Sequence, residues 1–222
     1  MSQWIFGYGS LMFEPELARH VVESVPARLL GHRRRFNKLS TNRWCPAAES
    51  FDAFPPPRPD LVRDGAHRSI VLGTEEAEEG VIEGRLLRYE TEVWSEVLRV
   101  TDLREGYAPD RPLEESGYLR REVRVERTDR TEDVLAVTYL SNPDTIYRSD
   151  LTLEDTARAV INATPQRRRD DSDSRGLHYL EGSRAVLRRA GLIDPELEAL
   201  AAAVRSFPGP WVELVSPPTA QS

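Results

Sequence analysis

The stretch that most constrains this chain is a short apolar run broken by two glycines, Trp4-Ile5-Phe6-Gly7-Tyr8-Gly9-Ser10-Leu11-Met12-Phe13. Trp4 to Tyr8 has the make-up of a short buried strand. Glycines directly after it permit a sharp turn and let another group approach the backbone. Glu14-Pro15-Glu16-Leu17 follows, with acidic residues and a proline suited to a helix start, so a helix is expected over Glu14 to Val22. N–H groups left unpaired between such a strand and helix suit a carboxylate or a developing oxyanion. The turn therefore reads as the floor of a small-molecule pocket, and the alternative is a hairpin corner packed in the core.

With 222 residues and 39% hydrophobic content the chain can bury a sizeable core. The expected organisation is one domain over residues 1–207, with a proline-rich insertion near 47–68 and a tail over 208–222. A net charge of −7 opposes a general nucleic-acid or anionic-membrane surface, leaving Arg33 to Arg35 and Arg167 to Arg169 as solvated or ion-paired runs. Cys45 is the only cysteine, which rules out an internal disulfide and, with no Cys/His cluster, a zinc site; a reducing cytoplasm fits. No apolar run approaches bilayer length and no signal-like segment precedes Trp4, so no membrane partner is expected. Lys38 is the only lysine and has no partner pattern, which argues against Schiff-base chemistry.

Val25 to Phe36 reads as a strand, and Asn37 to Arg68 as irregular. Within the latter, Phe54-Pro55-Pro56-Pro57-Arg58-Pro59 cannot hold an interior strand and suits a surface loop or a lid. Ser69 to Gly73 and Val81 to Tyr89 read as a hairpin around a solvated acidic run, Glu75 to Glu79. Thr91 caps an amphipathic helix over Glu92 to Val100. Tyr118 to Arg127 and Val134 to Leu140 form a second hairpin across Thr128 to Asp133. Three helices follow: one capped by Thr152 and reaching about Ala163, one over Gly176 to Ala190, and one opened by Asp194-Pro195. Gln166 to Ser174 between the first two is charged and expected to be mobile. Strands first and helices later argue for an α+β fold with a mixed or antiparallel sheet.

A carboxylate at Glu105, between an apolar helix and Gly106-Tyr107, suits a pocket edge where partial burial favours proton exchange near neutral pH. Its alternative is a helix-end ion pair with Arg104 or Arg120. The succession Phe6-Gly7-Tyr8-Gly9-Ser10-Leu11, then Asp102-Leu103-Arg104-Glu105-Gly106-Tyr107, then Gly117-Tyr118-Leu119-Arg120 resembles the γ-glutamylcyclotransferase family, and its ChaC branch in particular. Arg28-Leu29-Leu30-Gly31-His32-Arg33-Arg34-Arg35-Phe36 and Ile193-Asp194-Pro195-Glu196-Leu197 add to the likeness, which runs from about Trp4 to Val204.

That resemblance implies a small mixed β-barrel flanked by helices, with its cavity at the glycine turn. It further implies that Tyr8, Gly9, Ser10, Leu11, Met12 and Phe13 hold a γ-glutamyl group, that Glu105 is the acid/base, and that Tyr147 lines the pocket. Tyr147 reads equally as a sheet-edge aromatic packing on the following helix. The implied reaction makes 5-oxoproline from a γ-glutamyl compound, with no cofactor or metal, a small molecule as partner, and an oligomeric state left open. Glutathione, γ-glutamyl amines and γ-glutamyl amino acids all remain as substrates, and a non-catalytic barrel binding a small acid is the rival. Three departures bear on the substrate. Thr41-Asn42-Arg43-Trp44-Cys45 leads into the insertion instead of a short Arg-Gly-Thr-like loop. Arg167 to Leu180 keeps only Tyr179-Leu180 of the branch's late motif. The spacing across Ala108 to Ser116 is more like that of the broader family.

Overall fold

The computed structural model describes residues 3–12, 14–110, 112, 116–131, 133–142, 150–170 and 174–216. The chain divides into two compact units, Met1–Arg34 with Thr74–Ile146, and Arg35–Gly73 with Tyr147–Ser222. Two long strands, β2 (Val21–Pro46) and β4 (Ala66–Tyr89), contribute to both.

In the first unit, β1 (Trp4–Gly7), β5 (Tyr118–Arg127) and β6 (Asp133–Ser141) join β2 and β4 in a closed mixed barrel, ordered β1-β6-β5-β2-β4 and back to β1. The central strand β1 is parallel to β6 and antiparallel to β4, so Ile5 faces Val137 on one side and Leu87 on the other. These three side chains, with Tyr89 and Tyr139, bury against Val97 of helix α1 (Trp94–Glu105), and Trp94 and Leu98 flank the contact. An apolar stripe on a helix and an apolar face on a sheet thus close on each other, the main drive for placing α1 here. The barrel and the β5–β6 hairpin expected from the sequence are present.

Four expectations need correction. Glu14 to Val22 is not a helix: it holds only a 3-10 turn, Ala18–His20, after Leu17 at φ 50° in the left-handed region, and β2 begins at Val21. So short a helix has little stability of its own, and pairing in the barrel takes up Val21 and Val22 as strand. β2 then continues through Pro46, across residues expected to be irregular. The hairpin expected over Ser69 to Tyr89 is a single strand, with the acidic run inside β4. Glu76, Glu78 and Glu79 do face water, but Glu75 pairs with Arg33 at 2.9 Å and Glu83 with Arg28 at 2.9 Å, so opposite charges line neighbouring strands. Finally, Thr91 opens a 3-10 turn, Thr91–Val93, and α1 starts after it and runs on to Glu105.

The second unit carries α2 (Leu153–Asn162), α3 (Gly176–Arg189) and α4 (Pro195–Ser206), close to their expected bounds. Their caps explain the agreement. Thr152 Oγ1 accepts the Asp155 N–H at 3.1 Å, and Asp194 Oδ1 accepts those of Glu196 and Leu197, each at 3.1 Å. The insertion forms no strand through its prolines, then a 3-10 turn (Pro59–Leu61) and the short β3 (Val62–Arg63) paired to β4. It is pinned to α2: Asn162 Oδ1 accepts the N–H groups of Ala53 and Phe54 at 2.9 and 3.1 Å, and Asn162 Nδ2 donates to Phe54 O at 2.7 Å. The Phe54 ring meets Phe207 at a tilt and Trp211 edge-on, and Trp211, in the segment expected to be a tail, is buried. The charged stretch after α2 is held where it begins, Gln166 N–H donating to Glu49 O at 2.9 Å; residues 171–173 lie outside the described residues. Among the described residues no helix is long and apolar enough to cross a membrane.

Candidate active site

β1 ends at Gly7, and Tyr8-Gly9 turn the chain into a 3-10 helix, Ser10–Met12, closed by Met12 N–H to Gly9 O at 3.0 Å and Glu14 N–H to Ser10 O at 2.9 Å. The turn fits because glycine also stands opposite it on β4. A Cβ on Gly84 would lie 2.4 Å from Gly7 O and 2.7 Å from the Phe6 ring. Tyr8, Leu11 and Met12 are buried, Gly9 is half-buried and Ser10 is exposed. Of the residues expected to hold a ligand, Gly9 and Ser10 are therefore those the turn exposes, while Leu11 and Met12 anchor it. Phe13 and Tyr147 lie outside the described residues.

Three side chains lock the turn from different elements. Tyr8 donates its hydroxyl to Tyr139 O on β6 at 2.6 Å. Arg34 of β2, buried at 4% exposure, donates from Nε to Tyr8 O at 2.9 Å and from a second nitrogen to Glu83 O. Arg104, in the last turn of α1, donates to Ser10 Oγ at 2.8 Å, to Glu14 O at 2.5 Å and to Glu16 Oε1 at 3.0 Å. Arg34 is thus not on a solvated face, one of the two readings given for Arg33 to Arg35: carbonyl oxygens take up donors of this buried cation.

Glu105 is the final residue of α1, its side chain 15% exposed, and Gly106 at φ 69° ends the helix directly after it. The left-handed cap returns the Tyr107 N–H to Asp102 O at 2.9 Å and turns the chain away from the carboxylate. Arg104 Nε stands 3.7 Å from Glu105 Oε1, beyond a good hydrogen bond, while the rest of its guanidinium reaches the glycine turn. Arg120, the other partner weighed for Glu105, binds Asp102 Oδ2 at 2.6 Å. Tyr139 donates its hydroxyl to Asp102 Oδ1 at 2.8 Å. Burial raises the Asp102 pKa above the usual aspartate range, against the lowering pull of Tyr139 and Arg120. Burial also raises the Tyr139 pKa, with Asp102 and the charge of Glu105 adding to it. Tyr139 thus feels the charge of Glu105 while its hydroxyl bonds Asp102 and its carbonyl oxygen accepts from Tyr8.

The structure thus ties the Tyr8 to Met12 turn to the end of α1, where Glu105 stands, through Arg104 and through Tyr139 and Asp102, and ties it to β2 through Arg34; none of these four was given a site role from the sequence. The signals for them were faint. Asp102 precedes Glu105 by three positions and so shares its helix face, and Arg34 alternates with Phe36 along a strand. Beside this group, Ser95, Leu98, Leu103, Tyr107, Pro109 and Arg120 border an open groove of about 490 Å³. No group of three or more metal-ligating side chains occurs among the described residues.

The fold has counterparts among solved structures. A yeast γ-glutamyl cyclotransferase specific to glutathione, in selenomethionine-labelled form, superposes with TM-score 0.60 at 19% identity, covering 92% of this chain and 96% of its own. A second structure of a glutathione-specific yeast γ-glutamyl cyclotransferase gives TM-score 0.58 at 18% identity, covering 93% and 99%. The fold is that of the γ-glutamylcyclotransferases. The family model for ChaC-like proteins matches residues 3–47, the segment that holds the glycine turn and Arg34. No curated protein matches the sequence closely.

Proposed function

We propose that this protein is a γ-glutamylcyclotransferase that converts a γ-glutamyl compound to 5-oxoproline and the released amine or peptide, with Glu105 as acid/base. The observation that carries the reading is the Arg104 latch. The residue next to Glu105 binds Ser10 and Glu14, so the acid and the turn are fixed to each other from distant parts of the chain. A barrel that only bound a small acid would have no use for a half-buried carboxylate held at its binding turn.

In this reaction the substrate's α-amino nitrogen attacks its own γ-carbonyl carbon, closing the lactam as the amide bond to the leaving nitrogen breaks. Nucleophile and electrophile share one molecule, so orientation can contribute up to about 7–11 kcal/mol. Ionised Glu105 takes a proton from the α-ammonium, frees its lone pair and returns a proton to the leaving nitrogen, a role worth about 10²–10⁴-fold. The Gly9-Ser10 backbone is the proposed holder of the substrate carboxylate or the oxyanion. Phe13 and Tyr147 are proposed to line the same pocket. The reading needs no cofactor, takes a small molecule as its partner and is compatible with a cytoplasmic enzyme. Glutathione is the first substrate to try, since the similar yeast structures are of glutathione-specific enzymes.

The test is incubation of the purified protein with glutathione, γ-glutamyl amines and γ-glutamyl amino acids, with 5-oxoproline and the released amine read by mass spectrometry. Any substrate found is then repeated with its α-amino group acetylated. The proposal expects equimolar products from the free amine and none from the acetylated compound. Release of free glutamate, or no turnover of any compound, contradicts it.

A further inference from the structure

Asp102 and Glu105 are three residues apart on α1, a spacing that puts two carboxylates on one helix face with Cβ atoms about 5–6 Å apart. Two acids so close repel, yet the structure holds Asp102 firmly in place. Tyr139 from β6 donates to one of its oxygens and Arg120 from β5 to the other, and its side chain is only 14% exposed. Arg120 is itself fixed over the Tyr107 ring, 5.1 Å from its centroid. Such a clamp exceeds what holding a helix end requires, since the cluster around Val97 already seats α1.

Building on the proposed acid/base role of Glu105, we propose that Asp102 is a positioning residue for it: clamped by Arg120 and Tyr139, it fixes the last turn of α1 and keeps a second negative charge one turn behind the reacting carboxylate. A nearby like charge makes a carboxylate hold its proton more tightly, which matters for a group that must both accept a proton and give it back. Arg120 sets how much of that charge Glu105 feels. Among the described residues, two further arginines on α1 have acidic partners. Arg104 lies beside Glu105 and pairs with Glu16 from the segment after the turn, and Arg99 pairs with Glu96 on the helix exterior. Burial raises the proton affinity of Asp102 itself, and the bonds from Tyr139 and Arg120 pull against it and favour its charged form.

The charge argument gives opposite signs for two mild substitutions. Asp102→Asn keeps the shape and an acceptor for Tyr139 but removes the charge, so Glu105 ionises more readily and the acidic limb of kcat/KM moves to lower pH. Arg120→Gln leaves Asp102 uncompensated and moves that limb to higher pH. Each displacement is expected to be about half a pH unit or more. The same shifts should appear in a carbon-13 NMR titration of the Glu105 carboxyl, assigned by its loss in Glu105→Gln. This readout needs no turnover, so it separates failure of this inference from failure of the proposed activity. A Glu105 titration that stays put in both folded variants, or moves the same way in both, overturns the proposal; should either variant fail to fold, the other decides by the sign of its shift.

Discussion

At Gly84 one added methyl group decides whether β4 can lie against the floor of the glycine turn. Its Cβ would stand 2.4 Å from a backbone oxygen, and neither that oxygen nor the Phe6 ring is the end of a flexible chain. Gly84→Ala should therefore lower stability by about 2–3 kcal/mol in urea unfolding, well beyond an ordinary surface change. An effect under half a kcal/mol would mean that β4 yields at this point. The residues that lock the turn show how far a sequence can be read at this scale. Glu105 and the Tyr8 to Met12 stretch stand out by type and order. Arg34 and Tyr139 do not, since what matters in them is a donor aimed at, or a carbonyl offered to, a partner many residues away.

Among the elements, those whose ends carry their own chemistry were legible. α2 and α4 begin at a threonine and an aspartate that cap them, and the β5–β6 hairpin follows from local alternation. The long strands were not. β2 and β4 run through arginine and glutamate clusters that look solvated one strand at a time, and only their pairing across the sheet explains them. The anchoring of the proline-rich insertion, expected as a surface loop or a lid, is a related case: it is held by the carboxamide of Asn162, which is 1% exposed. Asn162→Ala would strand two N–H groups and a carbonyl. We expect a loss of about 2–3 kcal/mol and, under limited proteolysis, faster cutting between Phe51 and Arg58 than elsewhere. Unchanged cutting there would show that the aromatic contacts of Phe54 alone hold the insertion.

Across the whole molecule, acid should weaken the fold through the helical unit. Arg184 is 1% exposed and is bonded to Glu198, Glu181 and Ser216 O, and Arg188 also reaches Glu198. Burial pulls the Glu198 pKa upward, but hydrogen bonds and charge from Arg184 and Arg188 outweigh it and hold the group below the usual glutamate range. A carboxylate lowered in the folded state contributes stability above its unfolded pKa and loses it as pH falls through the folded value. Stability should accordingly drop as pH falls below about 4.5, the ordinary glutamate value. Arg184→Met should be less stable than the wild type at pH 7, because it strips two part-buried carboxylates of their shared guanidinium and leaves Glu198 with Arg188 alone, and the gap should narrow as Glu198 takes up its proton. A gap that stays constant down to pH 3 would assign the role of Arg184 to packing. Asp102 works in the opposite sense: its raised pKa favours the fold at low pH, and that contribution is lost as pH rises through the folded value.

The same molecule-wide arrangement, a turn on β1 and an acid at the end of α1 joined by Arg104, underlies the proposed activity, and one comparison tests it most directly. Wild type and Glu105→Gln are assayed side by side for 5-oxoproline from the best γ-glutamyl substrate, with melting temperatures measured on the same preparations. The glutamine keeps the shape of the side chain but can neither accept nor return the proton. Turnover should fall by about 10²-fold or more, with KM and melting temperature little changed. Near-normal 5-oxoproline formation with a marked loss of stability would contradict the account and make Glu105 a structural helix end.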